Sequence, residues 1–115
     1  MDKLEWLSQV KKGLLEYSIL KIISCSSIYG YDIMSILNEY ETLSTTEGTI
    51  YPLLRRLEKN KLICSFWKDS TPGTPPRKYY DLTEDGVHTL TMMDTEWVKV
   101  VNDIEKLKEV RYHNE

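Results

Sequence analysis

Cysteine and histidine are scarce in this sequence. It has two of each among 115 residues, with no Cys-x-x-Cys pair and no Cys/His cluster. A zinc site needs several such ligands at close spacing, so the sequence predicts neither a metal nor a cofactor. Cys25 and Cys64 fall in apolar segments of a predicted helix and a predicted strand. We expect both thiols to be buried and reduced rather than redox-active.

The chain also lacks a long hydrophobic run. No stretch approaches the ~20 apolar residues that a membrane-spanning helix requires, and residues 1–12 contain no signal-peptide core. The hydrophobic content of 41 % and the charged content of 29 % suit one domain, or one domain with an appended helix. We therefore expect a cytoplasmic protein that does not contact a membrane.

Recognisable catalytic arrangements are missing as well. The sequence contains no Gly-rich phosphate loop and no set of nucleophile, base and orienting residue. We predict that the protein is not an enzyme. Its formal net charge of −3 argues against nonspecific coating of nucleic acid. A local cationic face stays compatible with that charge, because salt screens each charge within about 8–10 Å.

One amphipathic segment, residues 44–60 (STTEGTIYPLLRRLEKN), organises the chain. Ser44 and Glu47 form a capping-box pattern, and Thr46 is a second candidate N-cap. Apolar residues at i, i+3, i+4 and i+7 predict the buried face of a helix: Ile50, Leu53, Leu54 and Leu57. The opposite face carries small residues first and cations later, which suits the DNA major groove. An ordinary surface helix with a solvated face is the alternative.

Strand formers and a basic turn follow this helix. Residues 62–67 (LICSFW) and 78–82 (KYYDL) predict two short strands, joined by a turn rich in proline and glycine. The order helix, strand, basic turn, strand is that of a winged helix. Between residues 53 and 80 the chain carries seven cations and two anions. Positive charge is thus concentrated in one unit of an acidic chain, as in a DNA-binding surface.

The segments before this unit complete a helix-turn-helix. Residues 4–24 predict an N-terminal helix whose first half has more apolar surface than a small domain covers, which marks a partner surface. Residues 26–30 are predicted to be a loop. Residues 31–40 are predicted to form the positioning helix, and a turn follows it.

Residues 83–115 predict one long C-terminal helix. Thr83 is the expected N-cap, and acidic residues follow it at the positive end of the helix dipole. Apolar residues recur at two heptad positions: Leu90, Trp97 and Ile104 at one, and Met93, Val100 and Leu107 at the other. We expect this stripe to form a homodimer interface, because packing on one small domain needs less apolar surface. A monomer whose helix packs on its own domain is the alternative.

The predicted fold class is therefore mainly α with a small β-hairpin (α+β). It consists of a winged helix-turn-helix domain over residues 1–82, which includes the N-terminal helix, and a dimerisation helix over residues 83–115. A homodimer would present two recognition helices to two half-sites, so the predicted partner is double-stranded DNA with an inverted-repeat operator.

Several motifs resemble the PadR family of transcriptional regulators: EGTIYPLLRRLEKNKLI, PRKYYDLTEDG, KKGLLEYSILKII and YGYDI. The resemblance spans about residues 12–86, and the chain length is similar to that of the short members. It implies a sequence-specific, homodimeric repressor. Asn60-Lys61 departs from a turn that often contains glycine, and we expect Asn60 to tolerate the left-handed conformation there. A winged-helix module that binds proteins instead of DNA is the alternative function.

The predicted DNA-binding residues lie on the recognition helix, which is the helix of residues 44–60, and on the wing, which is the strand–turn–strand unit of residues 62–82. Threonines near the helix start would meet phosphate or base edges, helix cations would contact phosphate or guanine, and wing cations the backbone. This set comprises Thr46, Thr49, Tyr51, Arg55, Arg56, Lys59, Lys68, Arg77 and Lys78. Tyr79 and Tyr80 alternate in a strand, so we expect one in the core and the other towards DNA.

A resemblance to the multidrug-sensing branch of the family concerns Trp97. In that branch a tryptophan of the last helix pairs with its symmetry mate and sandwiches planar aromatic compounds. The resemblance implies a small aromatic effector in a flat cleft lined by Trp6, Val10, Met93, Trp97 and Val100. Val101 stands where that branch can carry an acidic residue, so a preference for cationic ligands does not follow. Simple packing of Trp97 in a closed dimer interface is the alternative.

Overall fold

A computed structural model describes residues 1–69 and 71–111. Its elements in chain order are α1 (Lys3–Cys25), β1 (Ile28–Tyr29), α2 (Gly30–Leu37), α3 (Glu47–Lys59), β2 (Ile63–Lys68), β3 (Arg77–Leu82) and α4 (Glu84–Lys106), followed by a 3-10 turn over Leu107–Glu109. This architecture confirms the predicted winged helix-turn-helix with a long C-terminal helix.

The core is aliphatic and forms where the first three helices meet the sheet. Its fully buried side chains are Ile19, Leu20, Ile33, Leu37, Ile50, Leu54, Leu57 and Ile63. Burying each such side chain contributes about 1.5–3 kcal/mol, so the three members from α3 hold that helix firmly. The predicted apolar face of α3 is confirmed, with Leu53 half-buried at its margin.

The sheet has three antiparallel strands in the order β1-β3-β2. Its inner face carries Ile63 and Tyr80 in the core, while Tyr79 lies on the outer face. The prediction of a loop over residues 26–30 is wrong at Ile28–Tyr29, which pairs with β3. Two residues are too short to show the alternation by which a strand is recognised in a sequence.

The ends of the helices differ in detail from the prediction. Thr46 is the N-cap of α3, while the Ser44 hydroxyl donates to the carbonyl of Glu41. α2 ends at Leu37, three residues before the predicted boundary at 40. The left-handed residue after α3 is Lys61, with φ of 61°, and Asn60 has φ of −80°. The left-handed residue therefore lies one position later than expected, and β2 begins two residues after it, at Ile63.

α4 begins as predicted, because the Thr83 hydroxyl accepts a hydrogen bond from the Gly86 amide at 3.0 Å. Only Gly86 and Leu90 of this helix are buried. The helix ends at Lys106, so Leu107 lies in the 3-10 turn that follows. The predicted continuation to residue 115 lies partly outside the described residues. The described chain is elongated, with extents of 75 × 33 × 21 Å.

The prediction that both cysteines are buried is wrong. Cys25 and Cys64 are exposed free thiols. Cys25 is the last residue of α1 and lies two positions after buried Ile23, so it points away from the core side of the helix. Cys64 follows buried Ile63 in β2 and therefore points to the opposite face of the sheet. Local apolar composition predicted burial at both positions, but helix phase and strand alternation decide the outcome.

Candidate nucleic-acid interface

The outer face of α3 is exposed along its whole length. Gly48, Pro52, Arg55 and Lys59 lie there, opposite the buried Leu54. Within the described part of the chain, neither Arg55 nor Lys59 forms a salt bridge. These two cations are thus available to a ligand, and the small residues at the helix start allow that ligand to approach closely.

Arg56 is turned away from this face. Its guanidinium forms an ion pair with the carboxylate of Glu16 on α1, and its Nε donates to Glu16 Oε1 at 2.6 Å. The two residues are 40 positions apart in sequence. Of the three predicted helix cations, two face outwards and one is held against α1.

Tyr51 lies on α3 and is half-buried, with its ring close to Gly30 at the start of α2. Burial raises the pKa of its phenol, and the nearby Glu47 carboxylate adds to that effect. The hydroxyl therefore stays protonated at neutral pH and can donate a hydrogen bond. Thr46 and Thr49 are exposed at the start of the helix, with their hydroxyl oxygens 3.5 Å apart.

The wing presents two cations on the outer face of its sheet. Lys68 and Arg77 are directly opposite each other at the loop end of the hairpin. Lys68 Nζ lies 5.3 Å from the ring centroid of Tyr79, and the Arg77 guanidinium lies 4.9 Å from that of Tyr29. Each cation–π contact of this exposed kind contributes about 0.5–1 kcal/mol. The two tyrosine rings thus restrain both cations next to the loop of the wing.

Lys78 points to the inner face instead. Its Nζ is 3.6 Å from a carboxylate oxygen of Glu58 in the last turn of α3. The other Glu58 oxygen accepts a hydrogen bond from the Ser65 hydroxyl at 2.5 Å. Glu58 therefore links both strands of the hairpin to the recognition helix. The Lys78 side chain contributes to the angle of the wing as well as to its charge.

Trp67 is absent from the predicted site but is exposed on the wing. Its side chain is 69 % exposed and lies opposite Lys78 in the register. In the sequence, Trp67 stands out only as a strand former. Strand alternation puts Trp67 on the same face as buried Ile63, four residues further along β2. That distance carries Trp67 beyond the core, and this could have indicated its exposure from the sequence. An exposed tryptophan beside the cations is a candidate contact to sugar or base.

The residues of the predicted effector cleft occupy two helices. Trp97 is 38 % exposed, and its ring centroid lies 6.4 Å from that of Tyr17 on α1. The Tyr17 hydroxyl donates to Asp94 at 2.5 Å, and Lys21 Nζ donates to the same oxygen at 2.8 Å. Met93 packs against the core. These contacts join α4 to α1 immediately before the exposed part of α4.

The other members of that predicted cleft are less buried. Trp6 is 57 % exposed near the start of α1, Val10 is half-buried one turn later, and Val100 is 44 % exposed on α4. The hydrogen bonds at Asp94 also perturb its neighbours. Lys21 holds the pKa of the Asp94 carboxyl below its usual value, and the bond to Asp94 raises the pKa of the Tyr17 phenol.

A family model described as the transcriptional regulator PadR-like family matches residues 19–92. The matched segment contains α2, α3, the wing and the start of α4. The chain belongs to the PadR-like family of transcriptional regulators. Members of this family bind DNA and typically dimerise.

Solved structures support this assignment. A PadR-like transcriptional regulator from Bacillus cereus is 40 % identical, with 90 % of this chain and 99 % of that chain covered and a TM-score of 0.79. A PadR family transcriptional regulator from Eggerthella lenta is 29 % identical, with coverage of 93 % and 92 % and a TM-score of 0.81. Uncharacterized protein X of Lysinibacillus sphaericus is 31 % identical, with 89 % of this chain and 94 % of that protein covered.

The PadR-like family is a family of transcriptional regulators, which is the class that the sequence predicted. The fold agrees with it, because α3 and the hairpin lie side by side and are joined through Glu58. Among the described residues, none of the helices combines the length and apolarity needed to cross a bilayer. The resemblance noted in the sequence is therefore confirmed at the level of the family.

Proposed function

We propose that this PadR-like protein is a homodimeric repressor that binds an inverted-repeat operator. The observation that carries the proposal is the division of α3 into two faces. One face is fixed in the core, while the other exposes Arg55 and Lys59 without an acidic partner among the described residues. A rigid helix with free cations and small leading residues suits the major groove.

Each predicted DNA contact has a place in this proposal. Arg55 and Lys59 would contact guanine or phosphate, and Thr46 and Thr49 would donate hydroxyl hydrogen bonds near the start of α3. Lys68 and Arg77 would contact the backbone beside the groove. Three other predicted residues would contact DNA less directly. Tyr51 is half-buried at the margin of the surface, while Arg56 and Lys78 already form ion pairs within the chain.

Dimerisation through α4 is the second part of the proposal. The apolar stripe beyond Asp94 is uncovered in a single chain: Trp97 is 38 %, Val100 44 %, Ile104 59 % and Leu107 63 % exposed. Together with Leu90 and Met93 these side chains would pair with a second copy, so residues 83–115, which contain α4, would act as the dimerisation segment and residues 1–82 as the DNA-binding domain. Two linked domains bind two half-sites far more tightly than one domain binds a single half-site.

Release by a planar aromatic effector is the third part. Trp97 lies on the dimer stripe with an exposed ring, and Trp6, Val10, Met93 and Val100 offer further apolar surface. Trp and Met suit a flat, adaptable pocket. This part derives from the resemblance to short, multidrug-sensing members of the family. Trp97 would then contact both the second copy of the chain and the bound effector.

The DNA proposal is tested by fluorescence anisotropy with a labelled duplex from the region upstream of the protein's own gene. The titration is run at low and moderate salt, with a scrambled duplex of equal length for comparison. We expect preferential binding of the upstream duplex by a protein whose mass, from light scattering, is that of a dimer. A folded dimer that binds neither duplex at low salt would contradict the proposal and favour a protein-binding module.

The effector proposal is tested by tryptophan fluorescence. The chain has three tryptophans, so the wild type is compared with Trp97→Phe, and the difference between the two titrations reports the emission of Trp97. Titration with a planar dye such as acridine should quench this emission and release the upstream duplex. Quenching without release would leave Trp97 as a ligand contact that does not control DNA binding, and absence of quenching would leave it as a packing residue.

A further inference from the structure

A cleft with both polar and apolar lining residues lies between α1 and the start of α3, beside the outer face of the recognition helix. Its volume is about 830 Å³. One wall carries Lys11 and Lys12 of α1, and the other carries Thr46 and Thr49 of α3. Leu15, which is buried, and Leu53, which is half-buried, supply its apolar lining. The cleft thus combines cationic side chains, hydroxyl groups and an apolar surface that is packed against the core.

The charge in this cleft is positive. Of the described residues that line it, three are cationic and none is acidic. Arg56 closes one end and is neutralised by Glu16 outside the lining, while Lys11 Nζ donates to the Ser44 carbonyl at 2.8 Å. Lys12 is exposed and forms no salt bridge in the described part of the chain. Lys12 is therefore the one cation lining this cleft that has neither an ion pair nor a side-chain hydrogen bond among the residues described.

The hydroxyl groups on the opposite wall are also available. Thr46 is the N-cap residue of α3, but its side chain makes no capping hydrogen bond. Within the described ranges, its hydroxyl has only the long contact to Thr49 at 3.5 Å. The hydroxyl groups of Thr46 and Thr49 and the ammonium-bearing side chain of Lys12 therefore line the same cleft. Anionic oxygens bearing several lone pairs satisfy such a set of donors, and phosphate is the common biological group of this kind.

We infer that this cleft binds a backbone phosphate of the DNA duplex whose major groove receives α3. The inference rests on the proposed function and extends the binding surface to α1, which sequence analysis did not assign to DNA. Thr46 and Thr49 belong both to the proposed recognition surface and to the cleft. A DNA strand that flanks the major groove would therefore pass the opening of the cleft. Lys12 supplies the charge, and the threonines supply hydrogen bonds that fix the register.

The inference is tested with Lys12→Gln, which removes the charge and keeps much of the side-chain length. Lys11→Gln is less suitable, because it also breaks the contact with Ser44. The dissociation constant is measured by anisotropy at several salt concentrations for the upstream and the scrambled duplex. Lys106→Gln, on α4 outside the cleft, is the matched control, and thermal melting by circular dichroism checks the fold.

We expect the slope of log K against log salt to fall by about 0.9 for each phosphate that the variant no longer neutralises, or about two for a dimer. Both duplexes should bind more weakly by the same factor, on the order of ten-fold or more at about 0.1 M salt, since phosphate contacts carry no sequence information. Lys12→Arg should restore the slope, and Thr49→Val should weaken both duplexes equally.

Two results would overturn the inference while leaving the proposed function intact. One is a Lys12→Gln slope equal to that of Lys106→Gln. The other is a change in the ratio between the two duplexes with an unchanged slope, which would make Lys12 a base contact. If the wild-type dimer binds neither duplex, the proposed function fails first, and this inference fails with it.

Discussion

Arg56 on the recognition helix is held by Glu16 on α1, with Nε and Oε1 2.6 Å apart. The two side chains are 60 % and 29 % exposed, so water screens the pair. Such ion pairs contribute about 0–1 kcal/mol to stability. The main consequence of this pair is thus positional: it keeps one cation of α3 away from the outer face and places an anion behind that helix.

Breaking this pair should tighten DNA binding. In Glu16→Ala, Arg56 is free to reach a phosphate and a repulsive carboxylate is removed. We expect affinity for both duplexes to rise by a few-fold and the salt slope to steepen by about one per subunit, measured by anisotropy. Glu105→Ala, which breaks the 2.7 Å pair with Lys108 on the far part of the chain, is the control. Weaker binding by Glu16→Ala would show that Arg56 contacts DNA only when Glu16 positions it.

Arg55 should carry sequence preference rather than general affinity. It lies on the exposed face of α3 without an acidic partner among the described residues. A bidentate contact to guanine discriminates by about 1–3 kcal/mol, so Arg55→Gln should lower the ratio of upstream to scrambled affinity by roughly ten-fold. Arg111→Gln, which also removes one exposed arginine, should leave the ratio unchanged. An unaltered ratio in both variants would place Arg55 on the backbone instead.

The recognition helix was predictable because its pattern is local. The 3.6-residue period of α3 indicates which face is buried, and Ile50, Leu54 and Leu57 are buried as expected. Thr83 was identified from the cap chemistry of the sequence in the same way. Both features depend on neighbours within a few residues, which a single sequence contains.

What the sequence could not supply are contacts between distant residues. Glu16 and Arg56, or Glu58 and Lys78, are compatible partners among many carboxylates and cations, and only packing selects them. The cleft beside Lys12 arises from the same packing. β1 was missed because its two residues become a strand only through pairing with β3.

The apolar stripe of α4 predicts a dimer that a single charge should break. Ile104 is 59 % exposed in the chain and lies at a heptad position of the stripe. Ile104→Glu would bury two carboxylates near a two-fold axis, so we expect a monomer by light scattering at micromolar concentration. Val98→Glu is the matched control, because Val98 is 57 % exposed but lies off the stripe. A dimer that survives Ile104→Glu would contradict the assigned interface.

The contact between α1 and α4 should depend on pH through Asp94. Lys21 and Tyr17 both donate to this carboxylate, and Lys21 holds its pKa below the usual value. A group with a lowered folded-state pKa contributes stability above its unfolded pKa, near 3.9 for Asp, and loses it as pH falls through the folded value.

Asp94→Asn tests this dependence. The melting temperature of the wild type should exceed that of the variant at pH 6, and the difference should shrink as pH falls below about 4. Asp103→Asn, on the exposed part of α4, is the control and should show a smaller change. A difference between wild type and Asp94→Asn that stays constant from pH 6 to pH 3 would show that the carboxylate charge is immaterial.

Gly86 permits the closest approach between α4 and the turn before β2. A Cβ atom at this position would lie 2.0 Å from the carbonyl oxygen of Leu62, a backbone atom that cannot move aside. That carbonyl already accepts a hydrogen bond from the Thr83 amide at 3.1 Å. Helix propensity alone favours alanine over glycine, but the contact opposes it. We expect Gly86→Ala to destabilise the protein by at least about 2 kcal/mol.

Gly13 provides the opposite case in a helix of the same length. A Cβ atom there meets nothing within 4 Å, so Gly13→Ala should stabilise the protein by about 0.5–1 kcal/mol. Both variants are compared with the wild type by urea denaturation at equal protein concentration, because a dimer's stability depends on concentration. If Gly86→Ala were as stable as Gly13→Ala, the start of α4 would lie further from Leu62 than the structure places it. The pair therefore measures how tightly the start of α4 is seated against Leu62.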